Sequence, residues 1–182
     1  MAAHLQTKPL PRRALLASLG GGALLAGCGF ALRQTPPLPF HRIALTGFNP
    51  RSPLAAALRA RLADSAQVVD TPGQAEVLLQ ALVDKRERSV VASTAAGQVR
   101  ELQLRVRFEF QLTSPGGRLL IPPTELLLSR DMSYSESVAL AKAQEEAELV
   151  AAMQADIVQQ VLRRLAQVNP AAAVGSAPAP RN

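Results

Sequence analysis

The sequence predicts an α+β domain in which two helices pack on one face of a four-stranded, mainly antiparallel sheet, in the order β-α-β-β-β-α. Three observations carry this. From Leu102 to Leu112 apolar and polar residues alternate strictly, the period of a strand with one dry and one wet face. From Val150 to Val168 apolar residues recur at helical spacing. Elsewhere short apolar segments are separated by clusters of Pro, Gly, Asn and Ser, which break regular structure.

The amino end comes first in chain order. Residues 1–13 carry Lys8, Arg12 and Arg13 without an acid, and residues 14–25 form a small, apolar run. This is the charged region followed by the apolar region of an export signal. The run is too short and too glycine-rich to cross a bilayer as a helix of about 20 apolar residues. It ends in Leu25-Ala26-Gly27-Cys28, which resembles the bacterial lipobox. Small residues let an extended backbone enter a signal peptidase, and the Cys28 thiol is the nucleophile that takes the diacylglycerol. The expectation is a lipoprotein signal peptide at 1–27 and lipidation of Cys28. Arg12-Arg13 leaves both the general secretory and the twin-arginine routes open.

Cys28 is the only cysteine, so an exported product has no disulfide framework and its core must hold by burial. The charge of +6 over 182 residues is partly the signal's own. Without Lys8, Arg12 and Arg13, 17 of the 20 basic residues remain against 14 acids, and no nucleic-acid partner is implied.

Residues 28–40 read as an acylated tether, because Pro36, Pro37 and Pro39 exclude a helix interior or a central strand. A single domain is expected over 41–168. Residues 42–48 make its first strand. Asn49-Pro50-Arg51-Ser52-Pro53 is a turn that starts a helix, with Leu54, Leu58 and Leu62 on one stripe ending near Asp64. Three strands follow. The first runs from about Glu76 to Ala92. The second, Leu102 to Leu112, points its even-numbered residues inward and Gln103, Arg105, Arg107, Glu109 and Gln111 outward. The third runs from Leu119 to about Arg130 and is interrupted by Pro122-Pro123, which requires an edge position or a bulge. Ser133 and Glu136 are spaced as a capping box before a long helix to about Val168. Its apolar stripe is Val150, Met153, Ile157, Val161, Leu165 and Val168, and its polar face carries Glu145, Glu146, Glu148, Gln154, Gln159 and Arg163. The Ala-, Pro- and Gly-rich stretch 169–182 reads as a disordered tail.

Chemistry-bearing constellations are scarce. His4 leaves with the signal, and His41 stands alone beside the tether. There is no HExxH, CxxC or Gly-x-Ser-x-Gly pattern, so no catalytic residue, metal ligand or cofactor is expected. Glu145, Glu146 and Glu148 read as a solvated helix face. The positive feature is basic: Arg105 and Arg107 project together from the wet strand face, with Arg100 nearby and Lys142 at the start of the long helix. Arginine forks bind phosphates through paired, charge-assisted hydrogen bonds. A phosphorylated glycolipid fits better than nucleic acid, because stacking aromatics are missing. The same arginines also read as an ordinary strand face neutralised by Glu101 and Glu109, and both readings stand.

Several segments in order resemble one family. They are Cys28-Gly29-Phe30-Ala31-Leu32-Arg33, Gly97-Gln98-Val99-Arg100-Glu101-Leu102, Leu120-Ile121-Pro122, residues 129–134, Ala139-Leu140-Ala141-Lys142, residues 153–157 and residues 162–165. Together they are similar to the LPS-assembly lipoprotein LptE family, over nearly the whole mature chain. The resemblance implies two helices on a four-stranded sheet and no enzymatic activity. It implies a plug inside the β-barrel LptD, anchored by lipid at the outer membrane and facing the periplasm and the barrel lumen. It also implies binding of lipopolysaccharide during insertion into the outer leaflet. Lys142 matches the family's lysine. The basic residue that some members carry before the Gly-Gln turn is Ala95 or Ala96 here, and Arg100 stands on the other side of that turn. Arg105 and Arg107 complete the expected ligand set. The competing expectation is a tethered periplasmic lipoprotein serving another lipid transporter, one that moves phospholipid. A lipoprotein hydrolase is the weakest of the three.

Overall fold

The computed structural model describes residues 37–168. The expected signal peptide, Cys28, the tether as far as residue 36 and the tail from residue 169 lie outside the described residues.

Five strands and two helices form the domain: β1 Arg42–Thr46, α1 Pro53–Leu62, β2 Gln67–Val69, β3 Val77–Ser93, β4 Val99–Thr113, β5 Leu119–Ser133 and α2 Ala139–Ala166. The strands lie side by side as β2-β1-β3-β4-β5. The α+β class with two helices holds, but the sheet has five strands rather than four. The added strand is three residues long and shows no period, and it exists because it pairs in parallel with β1, Arg42 to Gln67 and Ala44 to Val69. β1 also pairs in parallel with the start of β3, while β3-β4-β5 is an antiparallel meander.

Local chemistry sets the element boundaries. Ser52 caps α1 by accepting the Ala55 N–H at 3.0 Å, and its own hydroxyl donates to the Asp84 carboxylate on β3. Pro53 follows at the first helical position, where a missing N–H is tolerated. The capping box expected at Ser133 and Glu136 is not formed. Ser133 ends β5, residues 136–138 make a short 3-10 turn, and α2 begins without a side-chain cap. Strand pairing to Glu101 holds Ser133 in extended conformation, and that overrides the local signal. Pro122 and Pro123 sit on the edge strand and also in a bulge. Ile121 pairs with Leu112 and Thr124 with Phe110, so two prolines face the single residue Gln111.

The core lies between the sheet and the helices. Leu102, Leu104, Val106, Phe108, Phe110 and Leu112 of β4 are all buried, as the alternation demands. Leu54, Leu58 and Leu62 of α1 and Met153, Ile157, Val158, Val161, Leu162 and Leu165 of α2 close over them. Each fully buried aliphatic or aromatic side chain contributes about 1.5–3 kcal/mol. Phe40, grouped with the tether in the sequence reading, is 2% exposed, and Leu38 packs against the core, so the hydrophobic fold begins before β1. Gln154, placed on the polar face of α2, is also buried.

β3 outruns β1. Pairing between them stops at Thr46 and Gln80, and β3 then bulges between Ala81 and Val83, with Leu82 as the extra residue. From there to Ser93 its outer edge has no strand neighbour among the described residues. At the end remote from β1, α2 begins with Leu140 88% exposed.

Candidate functional site

The residues expected to bind ligand fall in two places. Arg105 and Arg107 project from β4 on the face away from the helices. Register fixes their neighbours: Arg105 lies between Glu87 and Ser129, and Arg107 between Lys85 and Leu127. Arg107 donates to the Glu125 carboxylate at 2.6 Å and stands 4.0 Å from Glu109. Gln103 donates to Asp131, and Gln111 to Gln80. Lys85, Arg105 and Arg107 therefore share this face with Glu87, Glu109, Glu125 and Asp131, and it carries mixed signs rather than an uncompensated basic patch.

Lys142 and Arg100 lie at the end of the sheet remote from β1. The first turn of α2 brings Lys142 over the end of β5, where its ammonium donates to Ser133 Oγ at 3.0 Å and to Glu145 Oε2 at 2.7 Å. Its side chain is only 18% exposed, so the charge is largely engaged. Arg100 is exposed and lines a shallow cavity of about 360 Å³ with Gln98, Val99, Ser135, Glu136 and Ser137. Its backbone carbonyl accepts from the Tyr134 N–H at 2.8 Å. The fold thus brings both residues to one end without a direct contact between them.

A third basic group went unread in the sequence. Beyond the Leu82 bulge the register pairs Asp84 with Phe108, Arg86 with Val106 and Arg88 with Leu104, which turns these charged residues to the helix side. Arg88 donates to Glu146 of α2 at 3.2 Å. Arg86 makes no side-chain hydrogen bond or ion pair among the described residues. Both line an open cleft of about 530 Å³ between β3 and α2, floored by Ala143, Ala147 and Val150. A sequence signal existed: the apolar beat Val77, Leu79, Ala81 gives way to consecutive charges from Asp84 to Arg88.

Among the described residues the one clear titration shift lies elsewhere. The His41 backbone N–H, at 3.0 Å, holds the Glu76 carboxyl below its ordinary value, with the Arg42 side chain assisting against a smaller opposing effect of burial. Among the described residues no cluster of His, Cys, Asp and Glu is placed to hold a metal ion, and no helix is long and apolar enough to cross a membrane.

Comparison with known proteins follows the same outline as the fold. The family described as LptE, Lipopolysaccharide-assembly, matches residues 40–165. The chain is similar to the LPS-assembly lipoprotein LptE of Pectobacterium atrosepticum, 30% identical over 150 residues that cover 80% of each protein. It is also similar to that of Photorhabdus laumondii, 29% identical over 163 residues covering 87% of this chain and 88% of the relative. Among solved structures, an uncharacterized lipoprotein B from Nitrosomonas europaea matches with a TM-score of 0.62 at 32% identity, covering 74% of this chain and 88% of that one. The rare lipoprotein B from Shewanella oneidensis matches with a TM-score of 0.58 at 26% identity, covering 69% and 94%.

Proposed function

This chain belongs to the LptE lipopolysaccharide-assembly family, and from that premise we propose that it is an outer-membrane lipoprotein that plugs the LptD β-barrel and contacts lipopolysaccharide on its way to the outer leaflet. As a member of an assembly family it is not an enzyme. Its work is to bind, position and support a partner.

The observation that carries the plug reading is the sheet face away from the helices. Large barrels have polar lumens, and a domain lodged in one needs a polar surface that does not expose its core. Here the apolar core is covered by α1 and α2, and the opposite face is mainly polar, with Leu127 exposed beside the Arg107–Glu125 and Gln103–Asp131 pairs. Such a surface is wettable without being strongly attractive to one sign of charge. The tether supports the same reading. Each buried methylene contributes about 0.8 kcal/mol and a single acyl chain binds only marginally, whereas the several chains of a lipidated Cys28 hold durably. Gly29 rather than an aspartate after the cysteine agrees with onward sorting to the outer membrane.

Co-expression of the tagged, lipidated full chain with the barrel tests this. Retention of LptD on the tagged protein through detergent extraction is the expected result. A barrel that passes through unbound overturns the plug. Depletion gives an independent readout: loss of surface lipopolysaccharide is expected, whereas disturbed phospholipid balance with intact surface lipopolysaccharide points to the other transport role.

A further inference from the structure

We propose that the cleft between the outer half of β3 and α2, with Arg86 at its mouth, is a second lipid-phosphate site, one that holds a phosphorylated, acylated glycolipid by both its phosphate and its hydrocarbon. The proposal rests on the reading of this chain as a lipopolysaccharide-contacting protein, and it names a site distinct from Lys142 and Arg100.

Two observations meet there. The first is an inversion of polarity. Inward positions on a sheet covered by helices belong to apolar side chains, yet Arg86 and Arg88 occupy them opposite the buried Val106 and Leu104. They stand two residues apart on one face, roughly 7 Å along the strand. Arg88 is neutralised by Glu146 at 3.2 Å, while the Arg86 guanidinium has no partner among the described residues, so its fork is available to an oxyanion. The second is the floor: Ala143, Ala147 and Val150 present apolar surface beside that cation, in a cleft of about 530 Å³.

Cation and apolar floor stand side by side, as phosphate and hydrocarbon do in an acylated, phosphorylated glycolipid. A free phosphate uses only the first of these, and a neutral lipid only the second. The cleft is separated from Lys142 by where the side chains of α2 reach. Glu146 reaches toward β3, whereas Lys142 reaches toward the end of β5.

The test uses the full lipidated protein in detergent, with a photo-crosslinking residue at Ala143 and purified lipopolysaccharide as probe. Crosslinking is expected, and Arg86→Gln is expected to weaken it about tenfold or more, as loss of one charge-assisted contact implies. Arg86→Lys should restore part of it. Dephosphorylated lipopolysaccharide should crosslink weakly, and inorganic phosphate at millimolar concentration should compete poorly. Binding that is lost in Lys142→Gln with Arg100→Gln but unchanged in Arg86→Gln overturns the cleft and leaves the broader function standing. Equal crosslinking of the dephosphorylated lipid, or full competition by inorganic phosphate, also overturns it. Increased self-association of Arg86→Gln with binding unchanged would show that the inward arginines only blunt an open sheet edge. Absence of lipopolysaccharide binding to the wild-type chain at any position would remove both readings together.

Discussion

Gly47 and Ala81 lie back to back where β1 leaves β3: a Cβ at residue 47 would stand 2.3 Å from the Ala81 carbonyl oxygen. Gly47 also holds φ at 76°, a region that L side chains rarely adopt. The contact falls at the bulge of β3, where parallel pairing to β1 ends and the strand becomes a free edge. This one close approach therefore separates the five-stranded part of the sheet from the three-stranded part.

Gly47→Ala is expected to lower stability by about 2–4 kcal/mol, because backbone strain and a clash with backbone act together. Urea unfolding of the two proteins measures it. A loss below about 1 kcal/mol would mean that β1 can shift to make room.

Phe108 anchors the core through a ring stack, 5.8 Å from Phe48 and 5.5 Å from Phe110, and is fully buried. Phe108→Ala should cost about 3–5 kcal/mol. Phe48→Ala should cost clearly less, since Phe48 lies at the core's margin. Equal losses in thermal unfolding would contradict this ranking.

Glu76 makes stability depend on pH. Its carboxyl titrates below its ordinary value of 4.5, first because the His41 N–H bonds the charged form and then because Arg42 does. The folded-state value is the lower one. The stabilisation is therefore complete above the unfolded-state value near 4.5 and is lost as pH falls through the folded value. Glu76→Gln should be less stable than wild type at pH 7, with the gap narrowing toward pH 3. Urea midpoints that keep a constant gap across this range would rule out the carboxylate as the cause.

Gln154→Leu should raise stability by about 1–3 kcal/mol, because a buried donor without a partner is replaced by an apolar group of similar size. For a domain of this size that corresponds to a melting shift of roughly 3–10 °C. A lowered melting temperature would show that the amide has a structural role.

Lys142→Gln together with Arg100→Gln should weaken lipopolysaccharide binding while leaving the far-ultraviolet circular dichroism intact. Among the described residues Lys142 bonds Ser133 and Glu145, and Arg100 is exposed. A helix ion pair three residues apart, such as Lys142–Glu145, contributes about 0.2–0.5 kcal/mol, too little to hold the fold. Unchanged binding in a fluorescence titration would remove both residues from the site.

Legibility in the sequence followed periodicity. β4 was readable residue by residue because both of its faces have uniform environments, and the resulting alternation survives in the sequence. The buried stripe of α2 was readable for the same reason. Pro122 and Pro123 announced their edge and their bulge because proline's missing N–H restricts it wherever it stands. The two prospective ligand residues Arg105 and Arg107 were correctly placed on one face, but their acidic neighbours Glu87 and Glu125 belong to strands 18 or more residues away in sequence. The Arg107–Glu109 contact is local and legible in the sequence, but no local pattern encodes the neighbours supplied by the other strands.

By itself the sequence determined the α+β class, the principal strands, both helices and the family, since each rests on local period or on ordered local motifs. Tertiary structure alone decided that Gln67–Val69 is a strand, that β1 runs parallel to its neighbours, and that Ser133 extends β5 instead of capping α2. It also decided which charges of β3 turn inward. Counting in twos from Leu79 and Ala81 would have sent Lys85 and Glu87 to the helices, and the extra residue at Leu82 sends Arg86 and Arg88 there. Register is fixed by the pairing partner and not by the strand itself, so a single inserted residue reassigns a face without changing the local sequence pattern.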